Sequence, residues 1–295
     1  MILVVGATGL VGGEVCRKLA KRGEKVRALV RTTSTPDKVE ELRSLGIDIC
    51  VGDLKSPASL SDACGGIDSV ISTASSTLSH QPGDSIESVD AAGQMNLVNA
   101  AKAAGIDRFL FVSFRPPRGI SSPLIRAKHD VEKALSTLNS TIIQASYFME
   151  VWLSPALGFD YPNRTARICG SGTSPTSWVS FNDVAEMCAL ALRHPAAQRR
   201  TIEFGGPDSL SLLHVVALFE EIGGRPFKLE HIPEQMLRAQ YDGATDSLQK
   251  SFAALMLASV HGDAIDMAPI VKQFGINLTS VEQYARRVLG TAQKA

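Results

Sequence analysis

The chain has 295 residues, 44% of them apolar and 20% charged, with 24 glycines and 14 prolines. That is enough apolar chain for one or two packed domains, and it excludes a disordered, collagen-like or small disulfide-stapled protein. Thirty Lys and Arg balance thirty Asp and Glu, so no whole-surface field draws the chain to nucleic acid or to an anionic membrane.

The five cysteines are odd in number and include no Cys-x-x-Cys, which argues against a disulfide framework and a clustered zinc site. Six histidines never form His-Glu-x-x-His, and there is neither a Gly-x-Ser-x-Gly elbow nor a Gly-Lys-Ser/Thr phosphate loop. No metal is expected, and hydrolysis and nucleoside triphosphate turnover are disfavoured. The apolar stretch from Ile2 has no basic leader before it, and no apolar run reaches about eighteen residues. The expectation is a cytoplasmic protein with neither signal peptide nor membrane span.

Short β-branched runs at residues 2–5, 25–30, 47–51, 69–72, 109–112 and 141–144 alternate with helical patterns. Such alternation predicts a parallel, doubly wound α/β sheet built by right-handed crossovers. Residues 10–22 read as the first helix, Thr35-Pro36 and Ser56-Pro57 as helix starts, and Gly46 and Gly105 as helix stops. Beyond about residue 148 the pattern loosens. Strands are expected there at 177–180 and 201–204, helices at 183–193 and 212–222, and a capping box at Thr279-Ser280-Val281-Glu282 before the last helix. The expected division is residues 1–150 for nucleotide binding and 151–295 for a smaller α/β substrate region, partly interleaved with the first.

Gly6-Ala7-Thr8-Gly9-Leu10-Val11-Gly12 follows the first strand and opens the first helix. In that position a glycine allows the turn, a second clears the way for a pyrophosphate, and a third lets helix and strand pack closely. Free amides and the positive end of the helix dipole then meet the phosphates. The bland alternative is a plain tight turn. The second strand ends in Arg31, with no carboxylate nearby to hold a ribose 2′-hydroxyl. A guanidinium there grips a 2′-phosphate, so NADP(H) is the expected cofactor, unless Arg31 is only a solvated strand-end charge. Gly52-Asp53-Leu54 after the third strand suits an adenine, Asp53 accepting from its amino group and Leu54 covering the ring; Asp53 could equally cap the next helix. Ser72-Thr73-Ala74 ends the fourth strand with side chains small enough to leave room for the nicotinamide half.

With these segments in order, the chain resembles the atypical short-chain dehydrogenases/reductases, and more narrowly the NmrA-like group of isoflavone-reductase-like and quinone-reductase-like proteins. Asn96 to Ala101, Gly105 to Phe109, Val112-Ser113, Lys128-x-x-x-Glu132, residues 141–150 and Asp183-Val184-Ala185 extend the resemblance over nearly the whole chain. It implies that Lys128, on a helix expected at 124–138, contacts the nicotinamide ribose and donates or relays a proton. It also implies that Ser113, Tyr147 and Phe148 border the nicotinamide. Typical short-chain dehydrogenases use Tyr-x-x-x-Lys; here the residues four places after Tyr147, Tyr161, Tyr241 and Tyr284 are Val151, Thr165, Thr245 and Val288, and Leu124 stands where the phenol would be. Tyr147 is a second acid candidate, or simply a wall.

Two departures bear on the pocket. Gln144-Ala145-Ser146 replaces the group's Arg-Pro-Gly, and Arg115 and Arg118 lie in a basic loop that could meet an acidic substrate. His80 is a lone histidine in another long loop. Trp152 and Trp178 are candidates for shielding the cleft, or are simple core. The function expected from the resemblance is NADP(H)-dependent reduction of a carbonyl, quinone or conjugated alkene in a small apolar or aromatic substrate, by a monomer or homodimer. A non-catalytic NADP(H)-sensing regulator and a cofactor-retaining epimerase or dehydratase are the alternatives.

Overall fold

A computed structural model describes residues 1–79 and 81–290; His80 lies outside the described residues. In chain order the elements are β1 (Ile2–Val5), α1 (Leu10–Lys21), β2 (Val26–Val30), α2 (Pro36–Ser44), β3 (Asp48–Val51), α3 (Pro57–Cys64) and β4 (Ser69–Ser72). A π-helical turn at Ile86–Ala91 runs into α4 (Ala92–Ala103), followed by β5 (Arg108–Phe114), α5 (Pro123–Leu135) and β6 (Asn139–Ala145). Then come α6 (Met149–Trp152), β7 (Phe159–Asp160), β8 (Thr165–Cys169), α7 (Phe181–Ala191), β9 (Arg200–Phe204), α8 (Leu212–Gly223) and β10 (Lys228–Ile232). Four helices close the described chain: α9 (Glu234–Gly243), α10 (Ser247–Ser259), α11 (Ala268–Phe274) and α12 (Val281–Val288).

The larger sheet has seven strands in the order β3-β2-β1-β4-β5-β6-β9, with parallel registers from β3 across to β5. This is the doubly wound, Rossmann-type architecture expected. Its central strands β1 and β4 are buried at every residue, as the unbroken apolar run Ile2 to Val5 requires of a strand covered on both faces. The strand order reverses between β1 and β4, the switch point beside which open α/β sheets form their ligand crevice.

Two compact units emerge from chain packing. One comprises Met1–Phe114, Ser122–Gln144 and Val184–Ile202; the other comprises Arg115–Ser121, Ala145–Asp183 and the chain from Glu203 on. The first is centred on Leu3, Val5, Val70, Leu97, Phe109, Phe111 and Val131. The second holds a three-stranded sheet, β10-β8-β7, and a core of Met149, Phe159, Trp178, Phe219, Phe227 and Tyr284.

The structure departs from two local expectations. Residues 177–180 form no strand: Thr176 makes single bridges to Leu210 and Asp263 while Val179 bridges Phe148, so no partner runs alongside long enough for a ladder. Residues 201–204 form a strand as expected, within β9, which takes the edge of the seven-stranded sheet beside β6. The capping box is shifted by one residue. Ser280 caps α12 reciprocally with Gln283, while the Thr279 backbone and hydroxyl donate to Asp183 at 2.7 and 2.9 Å.

Candidate functional site

After β1 the chain turns at Gly6, whose φ of +87° disfavours any residue with a side chain. A Cβ on Gly12 would lie 2.1 Å from the Gly6 carbonyl oxygen, so Gly12 is demanded by the close approach of α1 to the turn. Gly9 differs from both. Its φ of −81° is ordinary, it is exposed, and a Cβ there would meet nothing nearer than the Gly6 oxygen at 3.1 Å. It is also the N-cap of α1 and supplies no side-chain cap. The first amides of a twelve-residue helix are therefore offered outward beside a residue with no Cβ, an arrangement that suits a phosphate. Leu10 is exposed next to it and Val11 packs inward, while the Thr8 carbonyl accepts from Lys38 Nζ at 3.0 Å.

The small residues after β4 secure the turn. Thr73 donates to the Val5 carbonyl through both its backbone N–H and its hydroxyl. Ser72 is fully buried and donates to Gln94 Oε1 at 2.9 Å, while Gln94 Nε2 donates to the Ala74 carbonyl at 2.8 Å. Both hydroxyls are thus engaged in holding the sheet edge. Leu54 is buried against Gly93 of α4, where a Cβ would come within 2.9 Å of the Leu54 Cβ. Asp53 does not cap α3; Ser56 does, and Asp53 Oδ1 accepts from the Lys55 backbone N–H at 2.8 Å.

Arg31 stands at the end of β2 but is no free guanidinium. Its Nη1 lies 2.5 Å from Asp84 Oδ2, and Lys55 Nζ lies 2.7 Å from Asp84 Oδ1. The Ser79 hydroxyl donates to the same carboxylate. Burial pushes the Asp84 carboxyl up, yet the hydrogen bonds from Lys55, Ser79 and Arg31 outweigh it and hold the group at about 2.

Lys128 is buried on α5, its Nζ 3.4 Å from the Val112 carbonyl and 4.7 Å from the centre of the Phe111 ring. Its counter-ion is Asp90 Oδ1 at 3.8 Å, from a side chain with no exposed surface. The other Asp90 oxygen accepts from the Ser76 backbone N–H and hydroxyl at 2.9 and 2.6 Å. Burial drives the Lys128 amine below its ordinary value, opposed by the charges of Asp90 and Glu132. Among the described residues, Asp90 Oδ1 and the buried Ser113 hydroxyl have no hydrogen-bond partner. Such unsatisfied polar atoms, one of them 3.8 Å from a buried ammonium, are what a bound polar ligand would complete.

Tyr147 and Phe148 belong to the second unit. Tyr147 packs edge-on against Trp152 at 4.6 Å and near Trp178 at 6.1 Å. Burial, together with the Asp263 and Cys169 charges, pushes its phenol above the ordinary range. Phe148 stacks near Phe181 at 4.7 Å. Trp178 is core, its indole N–H donating to the Leu210 carbonyl at 2.8 Å. Arg115 is paired with Glu203 at 3.2 Å and Asp263 at 2.9 Å, which removes the free charge that an acidic substrate would need; Arg118 is exposed. Gln144, in the first unit, donates to Glu132.

Residues 1–285 match the sequence model of the NmrA-like family. The chain is a member of the NmrA-like family. This NmrA-like protein is 29% identical to a photosystem II assembly factor of Synechocystis sp., over 98% of its own length and 90% of that protein's. It is 30% identical to an isoflavone reductase homolog of Zea mays over 98% of both chains. Its fold is similar to that of an NADPH-dependent quinone oxidoreductase from Escherichia coli, solved with NADPH, with a TM-score of 0.78, 21% identity, and 98% and 99% of the two chains covered. No helix among the described residues is long and apolar enough to cross a membrane, and they contain no cluster of metal-ligating side chains.

Sequence reasoning missed Asp84, Asp90 and Gln94. A Gly-Asp-Ser run in a loop gives no sign that its Asp reaches Arg31, 53 residues away. Asp90 lies in the π-helical turn, a wound segment with no periodicity of its own to read and one often found at functional sites.

Proposed function

We propose that this NmrA-like protein binds NADP(H) along the β1/β4 edge of its larger sheet and acts as a reductase of small apolar or aromatic carbonyl, quinone or conjugated-alkene compounds. The uncapped start of α1, opened to solvent at Gly9, is the observation that carries the reading. In it the amides at Leu10 and Val11 take the pyrophosphate beside Gly9, whose own N–H donates to the Gly6 carbonyl at 2.8 Å, Arg31 takes the adenosine ribose, and Leu54 the face of the adenine. When bound, the nicotinamide supplies a hydride.

Lys128 Nζ then has two tasks: to hold the nicotinamide ribose and to donate a proton to the substrate oxygen, drawing a replacement from solvent. An amine lowered toward neutrality by burial suits that second task better than an ordinary lysine. The Ser113 hydroxyl, buried without a hydrogen-bond partner among the described residues, is a further donor for the bound cofactor. Support comes also from the names of relatives, a quinone oxidoreductase and an isoflavone reductase homolog.

A second reading, a non-catalytic NADP(H) sensor, is favoured by two observations: Leu124 stands where a phenol would, and the similar assembly factor is not named for a reaction. Loss of NADPH absorbance with a panel of quinones, enones and aromatic ketones separates the two. Turnover above the cofactor-only blank that falls sharply in Lys128→Ala supports the reductase. Binding of NADPH with no turnover on any acceptor supports the sensor and overturns the enzyme.

A further inference from the structure

The end of β2 presents a guanidinium where a 2′-phosphorylated cofactor needs one, yet that guanidinium is already satisfied. Asp84 places one oxygen on Arg31 and the other on Lys55, and its side chain is 2% exposed while the two cations are about one-third exposed. Asp53, 3.8 Å from Lys55, adds a second negative charge. Two cations and two carboxylates leave the cluster without net charge, so an incoming phosphate finds nothing to neutralise it until an anion moves away.

Asp84 is the anion able to move. It belongs to neither a strand nor a helix, and its own backbone N–H makes a turn bond to Gln81 at 3.2 Å. Withdrawing it breaks no sheet ladder. Arg31, by contrast, follows β2 directly and is tied by a bond from its backbone N–H to the Ser34 hydroxyl. A carboxylate bridging a guanidinium and an ammonium makes the same charge-assisted contacts that phosphate oxygens make.

We infer that Asp84 is a specificity-determining residue of the adenosine-ribose subsite: an internal anion holding Arg31 and Lys55 where a ribose 2′-phosphate binds, displaced by a 2′-phosphorylated dinucleotide and left in place by a 2′-hydroxyl one. The inference rests on the proposed NADP(H) reading. It makes Asp84 the group that limits the preference for NADPH over NADH. Against burial, hydrogen bonds from Lys55, Ser79 and Arg31 hold its carboxyl at about 2, so this limit is constant through the neutral range.

Calorimetric titration of NADPH, NADH, adenosine 2′,5′-bisphosphate and AMP into wild type, Asp84→Asn and Asp84→Ala tests it, with thermal melts confirming that each variant is folded. Both variants are expected to bind NADPH and the bisphosphate at least about tenfold more tightly, with NADH and AMP changed by no more than about twofold. Adding Arg31→Ala should abolish the gain. Unchanged or weakened NADPH binding beside unchanged NADH binding overturns the inference, because Asp84 then orients Arg31 rather than competing for it. Absence of heat from all four ligands with every folded variant overturns the dinucleotide reading itself, a distinct result.

Discussion

Lys128 Nζ and Asp90 Oδ1 face each other at 3.8 Å with both side chains withdrawn from water. Burial lowers the amine and the Asp90 charge raises it again, so the pair sets where the lysine titrates. Asp90→Asn removes the opposing charge and should move the Lys128 titration to lower pH. The chemical shift of its labelled ε-carbon followed against pH reads this directly, and an unmoved midpoint contradicts the pairing.

The same pair has a stability consequence. Because the folded value of Lys128 lies below the 10.5 of an ordinary lysine, the folded state binds this proton less well than the unfolded chain. Its contribution is therefore complete above pH 10.5 and is lost as pH falls through the lowered value. Lys128→Met should flatten that dependence. It also leaves Asp90 with Ser76 alone and should cost about 3–5 kcal/mol, much of it recovered in Lys128→Met with Asp90→Asn. Additive losses in denaturant melts would refute the coupling.

Gly9 and Gly12 should separate binding from folding. Gly12→Ala drives a Cβ into the Gly6 carbonyl and should lower the melting temperature by several degrees, on the order of 2 kcal/mol or more. Gly9→Ala should cost under about 1 kcal/mol of stability and still weaken dinucleotide binding at least about tenfold. If Gly9→Ala binds as wild type does, the start of α1 is not a phosphate site.

Asp84 also predicts an acid transition. Its folded value of about 2 lies below the ordinary 3.8, so it stabilises the fold fully above pH 3.8, and this stabilisation fades as pH falls toward 2. Allowing for solvent screening of Arg31 and Lys55, the amount is about 1–2 kcal/mol. Acid melts of Asp84→Asn should show a shallower loss over that interval.

Tyr147 is expected to be a wall. Its phenol is pushed above its ordinary range, away from the neutral values that serve an acid best. Tyr147→Phe should keep turnover within about threefold of wild type. A hundredfold fall in kcat with KM unchanged would make it the proton donor instead.

Much of the first unit was legible because its signals are local. The unbroken apolar run Ile2 to Val5 marked β1, Pro36 and Pro57 marked helix starts, and Gly46 and Gly105, both at positive φ, marked helix ends. The glycine loop was readable because three glycines sit between a strand and a helix. What escaped was set by contacts across the fold: β9 joining the larger sheet, Thr279 preferring Asp183 to a cap, and Arg31 meeting Asp84. Spacing says where a strand ends, not which distant loop returns to its last charge.

On the proposed reading, Gly9 and Arg31 frame a site for a 2′-phosphorylated dinucleotide. Titrating NADPH and NADH into wild type and Arg31→Ala, followed by nicotinamide fluorescence, tests it most directly. Wild type should bind NADPH more tightly than NADH, and Arg31→Ala should erase the difference mainly by weakening NADPH. Failure of the folded wild type to bind either dinucleotide, or an equal loss for both in Arg31→Ala, would contradict it.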